Sequence, residues 1–328
     1  MTFLKTAFLT SCLSLIFTTC LIAEEPAVLP LDWEWVETPF GKPVIDRGPE
    51  GAWDHYAVDN PFVYVEEGKY YCFFEAQDVP SSNPNWHERI GLAVSEDGLN
   101  WTKQDAINPI LKEGPEGNWD NPITKLPAGV VKRDGVYHLF FSGRNSEAKQ
   151  VGVATATELS GPWTKLQANP ILPGRTGKWD QHVTTHPSSV FQRGDEYYLL
   201  YRGMKGLFYE EAVGLAVSSD LTHWQRATSS DDQPVIPVKA NVRSLAVAET
   251  ANGYVGISQP EKLTERRYWL SDDLVHWQAG RQLTINASNA AETLSAPFLV
   301  DGEWTILYEQ KDRIYRAVLK PVSSKEAE

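Results

Sequence analysis

The chain repeats one short sequence pattern, and this repeat constrains the fold more than any other feature. Each copy has an aromatic-rich run, then a loop, then a second apolar run with small residues. A tryptophan follows in the first four copies, at Trp101, Trp163, Trp224 and Trp277, with spacings of 62, 61 and 53 residues. Alternating apolar runs between Gly- and Asp-containing turns are typical of short antiparallel strands. The aromatic-rich runs lie at residues 69–74, 136–141, 196–201, 253–257 and 302–308.

A repeat of this size predicts an all-β fold, a five-bladed β-propeller with four-stranded antiparallel blades. We expect one propeller domain over residues 53–320, after a lead-in segment at 24–52 and before a charged tail at 321–328. The long loops between second and third strands and the connections between blades share one face, where we expect a central cup that holds the functional site. The five repeats span roughly residues 53–111, 112–172, 173–236, 237–285 and 286–320.

The N-terminus resembles a secretory signal peptide over residues 1–23, with Lys5 before an apolar run that ends near Ala23. We therefore expect a secreted or periplasmic protein. Cleavage there would leave Cys72 as the one cysteine, which excludes an internal disulfide and favours a buried apolar role. The net charge of −13 argues against nucleic acid or an anionic membrane as a partner.

Several turns carry the pattern Ser-x-Asp before a tryptophan, which resembles the Asp-box turn of propellers. Asp97, Asp220 and Asp273 occupy this position. An aspartate in a tight turn accepts hydrogen bonds from the backbone of the following residues. We predict that these three residues stabilise turns and take no part in catalysis.

The order of motifs in each repeat resembles a known superfamily. Asn-Pro-Ile-Leu at 108–111, Gly-x-Trp-Asp at 117–120 and the two apolar runs are similar to those of five-bladed propeller glycosidases, the arabinanase, levansucrase and invertase superfamily. It includes glycoside hydrolase families 43, 32, 68, 117 and 130, and the resemblance covers residues 53–320. It implies an exo-acting, inverting enzyme that cleaves glycosidic bonds of a poly- or oligosaccharide.

The family 43 pattern has an Asp just before a Pro on the first strand of blade one as general base. Asp59, in Asp59-Asn60-Pro61, lies close to this position. The other two carboxylate positions of that pattern hold Gly129 and His186 in this chain. Those two substitutions favour an alternative, a glycan-binding propeller without catalytic activity. A glycoside phosphorylase, as in family 130, is a further alternative.

Glycoside hydrolysis needs a carboxylate for the water or nucleophile and a proton donor to the leaving oxygen. Acidic and histidine residues on the cup side could supply them, although the repetition of Asp54, Asp120 and Asp180 after tryptophan also fits a structural role. The predicted catalytic residues are Asp59, His186, Asp180 and Glu292. The predicted substrate-binding residues are Asp54, His55, Asp120, Arg89, Arg144, Arg202, Arg243 and Arg267.

The five arginines predict recognition of an anionic sugar, such as a uronate or a sulfated sugar, because a guanidinium matches an oxyanion with paired hydrogen bonds. Ion pairs with aspartates between blades are the alternative. The sequence contains no zinc-ligand spacing, phosphate-binding loop or EF-hand loop, so we predict no cofactor. A calcium ion on the propeller axis and the oligomeric state stay open.

Overall fold

The computed structural model describes residues 26–185, 189–206, 210–227, 232–260 and 263–322. The predicted signal peptide, His186 and most of the charged tail lie outside these residues. In the described part, strands dominate, and the helical elements are two single 3₁₀ turns, Val238–Ala240 and Leu263–Glu265. The predicted all-β class is confirmed.

The strands follow the order of the sequence repeats. In chain order they are β1 (Glu34–Glu37), β2 (Ala57–Glu66), β3 (Lys69–Gln77), β4 (Glu88–Ser95), β5 (Thr102–Lys103), β6 (Ile123–Arg133), β7 (Val136–Arg144), β8 (Lys149–Ala156), β9 (Thr164–Lys165), β10 (His182–Thr184), β11 (Val190–Arg193), β12 (Glu196–Met204), β13 (Glu211–Ser218), β14 (Gln225–Arg226), β15 (Ser244–Thr250), β16 (Gly253–Gln259), β17 (Arg267–Ser271), β18 (Gln278–Gln282), β19 (Ile285–Asn286), β20 (Phe298–Val300), β21 (Glu303–Gln310) and β22 (Arg313–Lys320).

Successive strands within each repeat pair antiparallel, so every repeat is a meander. In repeat 3, β10 and β11 both pair with β12. In repeat 5, β20, β21 and β22 form the meander. There β1 pairs with β22 and places Trp35 opposite Leu319, so the N-terminal segment adds a strand to the sheet of the last repeat.

The apolar core is divided among the contacts between successive repeats. One buried cluster joins repeats 1 and 2, the next joins 2 and 3, and further clusters join 3 to 4 and 4 to 5. A fifth cluster joins repeat 5 back to repeat 1, where Leu307 and Ile314 pack with Phe74 and Cys72. Cys72 is fully buried there, as the sequence predicted. Each repeat therefore buries apolar surface against two neighbours.

The Trp-Asp pairs before the first strands of repeats 1 to 3 form a repeated packing unit. Each tryptophan stacks on an aromatic ring of the second strand, with ring centroids 5.7–5.9 Å apart. The tryptophan also lies against a glycine of the third strand, where a Cβ would be under 3.0 Å from the ring. The three units are Trp53 with Phe74 and Gly91, Trp119 with Phe141 and Gly152, and Trp179 with Tyr201 and Gly214.

Replacing Gly214 with alanine tests this unit. A Cβ at this position would lie 2.3 Å from Cζ of Tyr201 and 2.6 Å from Cη2 of Trp179, so the stacked rings must shift. We expect Gly214→Ala to lower the free energy of unfolding by about 1–3 kcal/mol in a urea titration. Gly256→Ala is the matched control, because its Cβ would meet flexible Leu245 atoms at 3.1 Å or more. Equal losses for both variants would contradict the packing unit.

The three predicted turn-capping aspartates do cap turns. One carboxylate oxygen of Asp97 accepts backbone hydrogen bonds from Leu99 and Asn100, both at 2.8 Å. Asp220 and Asp273 accept equivalent bonds in their turns. The backbone and side-chain hydrogen bonds from Asn100 hold the pKa of Asp97 below its usual range. The structural role predicted for these residues is confirmed.

Candidate active site

The first strand of repeat 1, β2, is irregular directly after Asp59. Asp59 lies opposite Glu75 of β3, but the register shifts between Asp59 and Phe62. The residue after Asp59, Asn60, has a φ of 47°, a left-handed conformation that asparagine tolerates better than most residues. Pro61 follows and donates no ladder hydrogen bond. Asp59 is therefore the last paired residue before an interruption of the ladder.

Repeat 2 has the same irregularity at the same place. Lys125 lies opposite Ser142 of β7, and the register then shifts before Gly129. Leu126 has a φ of 52°, and Pro127 follows it. Lys125 is therefore the counterpart of Asp59 one repeat further along the chain. This places a cation near Asp59, close to the beginnings of the first strands of repeats 1 and 2.

Four carboxylates and one lysine gather at this point: Asp59, Glu75, Glu88, Glu309 and Lys125, which we call the acidic cluster. Lys125 Nζ lies 2.8 Å from Oε2 of Glu88 and 4.0 Å from Oε1 of Glu75. The charges of Glu75, Glu88 and Glu309 all act on Asp59. The cluster thus joins residues from repeats 1, 2 and 5.

Hydrogen bonds fix the positions of Asp59 and Glu75. The amide Nδ2 of Asn60 lies 3.3 Å from Oδ1 of Asp59 and 3.2 Å from Oε2 of Glu75, and donates to both. The same Glu75 oxygen accepts from the backbone N–H of Leu126 at 3.1 Å. The backbone N–H of Asn60 donates to Oγ1 of Thr293 at 3.2 Å. These hydrogen bonds connect the site of Asp59 and Glu75 to repeats 1, 2 and 5.

Solvent access distinguishes the members of the acidic cluster. Glu75, Glu88 and Glu309 are 2%, 5% and 6% exposed, whereas Asp59 is only half-buried. Asp59 is therefore the carboxyl group of the cluster that a ligand can reach most readily.

Burial and mutual repulsion make the acidic cluster retain protons. Burial, together with the charges of Glu75, Glu309 and Glu88, raises the pKa of Asp59 well above its usual range, and Lys125 opposes the shift only in part. Burial and Glu88 raise the pKa of Glu75 to about 8. Burial and Glu292 raise the pKa of Glu309 to about 7. Carboxyl groups that stay protonated near neutral pH are candidates for general acids.

A second group of charges lies next to the acidic cluster: Arg144, Lys149, His182 and Arg202, which we call the basic cluster. Burial and the nearby charges of Lys125, Arg202 and Arg144 lower the pKa of Lys149 to about 7. Burial, Lys149 and Arg144 lower the pKa of His182. Because Lys125 acts on both Asp59 and Lys149, the two clusters are adjacent.

The structure brings together two of the five predicted arginines, Arg144 and Arg202, in the basic cluster. Arg202 also forms an ion pair with Glu211, and Arg243 Nε lies 3.0 Å from the other oxygen of Glu211. Arg89 binds both oxygens of Glu113, at 2.8 and 3.0 Å. The ion-pair alternative therefore describes Arg89 better than the predicted substrate contact.

Arg267 and its neighbour Arg266 have different surroundings. Arg267 lines a surface depression with Trp269 and Gln282 in repeat 4. Its neighbour Arg266 is 2% exposed and donates to the backbone carbonyl of Glu292 at 2.5 Å. Arg266 is therefore the more enclosed of the two arginines.

Asp54, Asp120 and Asp180 belong to the framework. They are 2%, 1% and 0% exposed. Each binds a basic residue of the fourth strand of its own repeat, namely Lys103, Lys165 and Arg226 respectively. Asp180 also accepts hydrogen bonds from Arg175 and Tyr201. A carboxylate enclosed in this way is shielded from solvent, which favours a structural role for all three residues over the predicted catalytic role of Asp180 and the predicted substrate contacts of Asp54 and Asp120.

The remaining predicted residues lie in three different places. Glu292 is exposed beside the acidic cluster, and its backbone N–H donates to the carbonyl of Glu309 at 2.8 Å. His55 lies in the turn before β2, where its backbone N–H donates to Ala52. His186 lies outside the described residues.

Sequence reasoning missed Glu75, Glu88, Glu309, Lys125 and Lys149. Glu75 directly follows the apolar pair Phe73-Phe74, and Glu309 follows Leu307-Tyr308. A carboxylate at the end of a buried aromatic strand is unusual, since glutamates are rarely buried without partners. That pattern was the signal that could have found both residues.

Among the described residues, no group of three or more histidine, cysteine, aspartate and glutamate side chains is arranged to hold a metal ion. In the same part of the chain, no helix combines the length and the apolar character that a membrane span requires.

Solved structures share this architecture. A glycosyl hydrolase from Bacteroides ovatus has a TM-score of 0.69 at 17% identity, and the match covers 90% of this chain and 96% of that one. A family 117 glycoside hydrolase of Zobellia galactanivorans has a TM-score of 0.67 at 18% identity, with coverage of 88% and 91%. At this level of identity the similarity concerns the fold, which is that of a propeller.

Sequence comparison gives the family. A 1,2-beta-oligomannan phosphorylase of Thermoanaerobacter sp. (strain X514) is 26% identical over 126 residues, which are 36% of this chain and 40% of the relative. The chain spans less than half of the length of the first curated relatives that it matches. The sequence model of the glycosyl hydrolases family 32 N-terminal domain matches residues 56–235, more than half of the chain. The chain therefore belongs to the family of the glycosyl hydrolases family 32 N-terminal domain.

Proposed function

We propose that this protein cleaves glycosidic bonds of a poly- or oligosaccharide in an exo-acting manner, at Asp59 of the acidic cluster. The observation that carries the proposal is the cluster itself, in which burial and three neighbouring glutamates raise the pKa of a half-buried aspartate beside a lysine. Glycoside cleavage needs a protonated carboxyl group that can reach the leaving oxygen. The family membership supports the same reaction class.

We further propose a closed propeller of five four-stranded blades. The five core clusters between successive repeats support it, because the last of them returns to repeat 1. Polar contacts near the site also join each repeat to the next one, and repeat 5 to repeat 1. They are Glu75 with Leu126, Ser142 with Thr185, Glu211 with Arg243, Arg266 with Glu292, and Thr293 with Asn60.

In the proposed mechanism, Asp59 donates its proton to the glycosidic oxygen while the bond from that oxygen to the anomeric carbon breaks. The sequence predicted a general base at Asp59, but a raised pKa favours the protonated form and so the general acid. Lys125 stabilises the carboxylate that remains after proton transfer. Water supplies the oxygen that joins the anomeric carbon. Glu292, exposed beside Glu309, is our candidate to accept the proton of that water.

This assignment gives a direction to the pH dependence. A general acid works below its pKa, so kcat/KM should fall on the alkaline side, as pH rises through the raised pKa of Asp59. Glu309 is one of the charges that raise this pKa. We expect Glu309→Gln to move the alkaline limb of the pH–rate profile to lower pH. An acidic limb that moves instead, with no change on the alkaline side, would assign Asp59 as the general base.

Phosphorolysis is the second candidate, because the basic cluster adjoins Asp59 and a relative is named as a phosphorylase. Release of reducing ends from a glycan panel, measured with and without inorganic phosphate, separates the two reactions. Cleavage without phosphate supports hydrolysis, and strict phosphate dependence supports phosphorolysis. Binding of glycans with no product in either condition would support the glycan-binding alternative.

We also propose that the protein is exported, as the sequence of residues 1–23 predicts.

A further inference from the structure

We propose that the basic cluster binds the acidic group, a carboxylate or a sulfate ester, of an anionic sugar that is held next to Asp59. This inference rests on the proposed function and specifies the substrate class of the same site. It replaces the predicted set of five arginines with Arg144, Lys149, His182 and Arg202.

Strand register places the basic cluster one repeat along from the acidic one. Glu88 begins β4 opposite Gln77, and Lys149 begins β8 opposite Arg144. The third strand therefore starts with an anion in repeat 1 and with a cation in repeat 2. Lys125 lies between them, since it pairs with Glu88 and its charge acts on Lys149. Lys125 thus links the acidic cluster to the basic cluster.

Buried polar groups without partners occur on the basic side. His182 and Thr184 are 5% and 3% exposed, and neither Nδ1 of His182 nor Oγ1 of Thr184 has a hydrogen-bond partner in the described part of the chain. Nε of Arg202, which lies opposite Thr184 on β12, is likewise without one, although its Nη2 binds Glu211. Such groups cost stability when nothing binds them, and an oxyanion accepts several hydrogen bonds at once.

Repulsion among the cations points to the same ligand. Burial and the charges of Lys125, Arg202 and Arg144 disfavour a positive charge on Lys149, and Glu88 offsets them only in part. Burial, Lys149 and Arg144 likewise disfavour a positive charge on His182. Lys149 Nζ lies 4.0 Å from the sulfur of Met204, so part of its environment is apolar. A bound anion would relieve this repulsion, and the planar fork of an arginine matches a carboxylate with two parallel bonds.

Calorimetric titration of the catalytically impaired Asp59→Asn chain tests the site without cleavage. The probes are sodium glucuronate, sodium galacturonate and galactose 6-sulfate, each against glucose or galactose, and inorganic phosphate. We expect at least one acidic sugar to bind tenfold or more tighter than its neutral counterpart. Adding Lys149→Met or Arg144→Met should weaken that binding on the order of 30-fold, as for loss of a buried charge partner. Lys42→Met, a change at an exposed lysine, is the matched control.

Three outcomes decide the proposal. Equal binding of acidic and neutral sugars would overturn it and leave glycoside cleavage at Asp59 unaffected. Phosphate that binds more tightly than every acidic sugar, and loses affinity in the same two variants, would also overturn it by assigning the cluster to free phosphate. If acidic sugars bind as expected while the wild-type chain cleaves no glycan, the basic site stands and the proposed reaction is wrong.

Discussion

Asp59→Asn is expected to lower kcat/KM for the cleaved glycan on the order of 10³-fold, within the range that general acid catalysis contributes. An amide has nearly the shape of the carboxyl group but has no acidic proton to transfer to the leaving oxygen. The substitution also keeps this position neutral, in a place where Glu75, Glu88 and Glu309 disfavour a negative charge. We therefore expect the folded state to be at least as stable as in the wild-type chain.

Initial rates and urea unfolding of the same preparations measure both effects. Asp301→Asn is the matched control, because Asp301 is an exposed turn residue between β20 and β21. This control should keep the wild-type rate. A rate within threefold of wild type for Asp59→Asn would show that Asp59 is not the catalytic acid.

Asp180→Asn is expected to lower the free energy of unfolding by about 3 kcal/mol, because it leaves two arginines without their buried carboxylate. Asp180 is fully buried and contacts Arg175 at 2.8 Å and Arg226 at 2.5 Å. The arginine side chains are 27% and 15% exposed, so water compensates part of the loss. This expectation lies at the lower end of the range for breaking a buried ion pair.

Urea unfolding followed by tryptophan fluorescence measures this change, and Asp301→Asn again serves as the control. Any loss of rate at a temperature where the variant is fully folded should be small, since the carboxylate has no free face. A stable Asp180→Asn protein that has lost its activity would contradict the structural assignment. It would restore the catalytic role that the sequence predicted for Asp180.

The sequence predicted the framework better than the site. Strand class follows from alternating runs such as residues 196–201, because side-chain alternation depends only on neighbouring residues. The same holds for the capping role of Asp97, whose hydrogen-bond partners lie two and three residues further on. Local features of this kind can be deduced from one sequence.

The sequence also contains a signal for the structural role of the Trp-Asp pairs. It is a basic residue that lies near the other end of the same repeat. A basic residue stands two positions after the tryptophans of repeats 1 to 3, at Lys103, Lys165 and Arg226. Repeat 4 has Ala279 at that position and also lacks a Trp-Asp pair. The aspartate and the basic residue therefore occur together in repeats 1 to 3 and are both missing from repeat 4, which indicates that they form an ion pair.

The site was hidden because it depends on register across repeats. The left-handed residues Asn60 and Leu126 shift the ladder, so strict alternation does not show where Asp59 and Lys125 project. Burial, together with charges on β6, β7 and β12, lowers the pKa of Lys149, and these strands are far apart in the chain. No local sequence pattern predicts that these charged residues lie close together.

A crystal structure of the Asp59→Asn variant with the glycan that the wild-type chain cleaves tests the central claim most directly. We expect the glycosidic oxygen to lie within about 2.6–3.2 Å of the side chain at position 59, the reach of a proton donor. Glu75 and Lys125 should keep the positions they have here. A glycan bound with its scissile oxygen away from the acidic cluster, for example in the depression near Arg267, would contradict catalysis by Asp59.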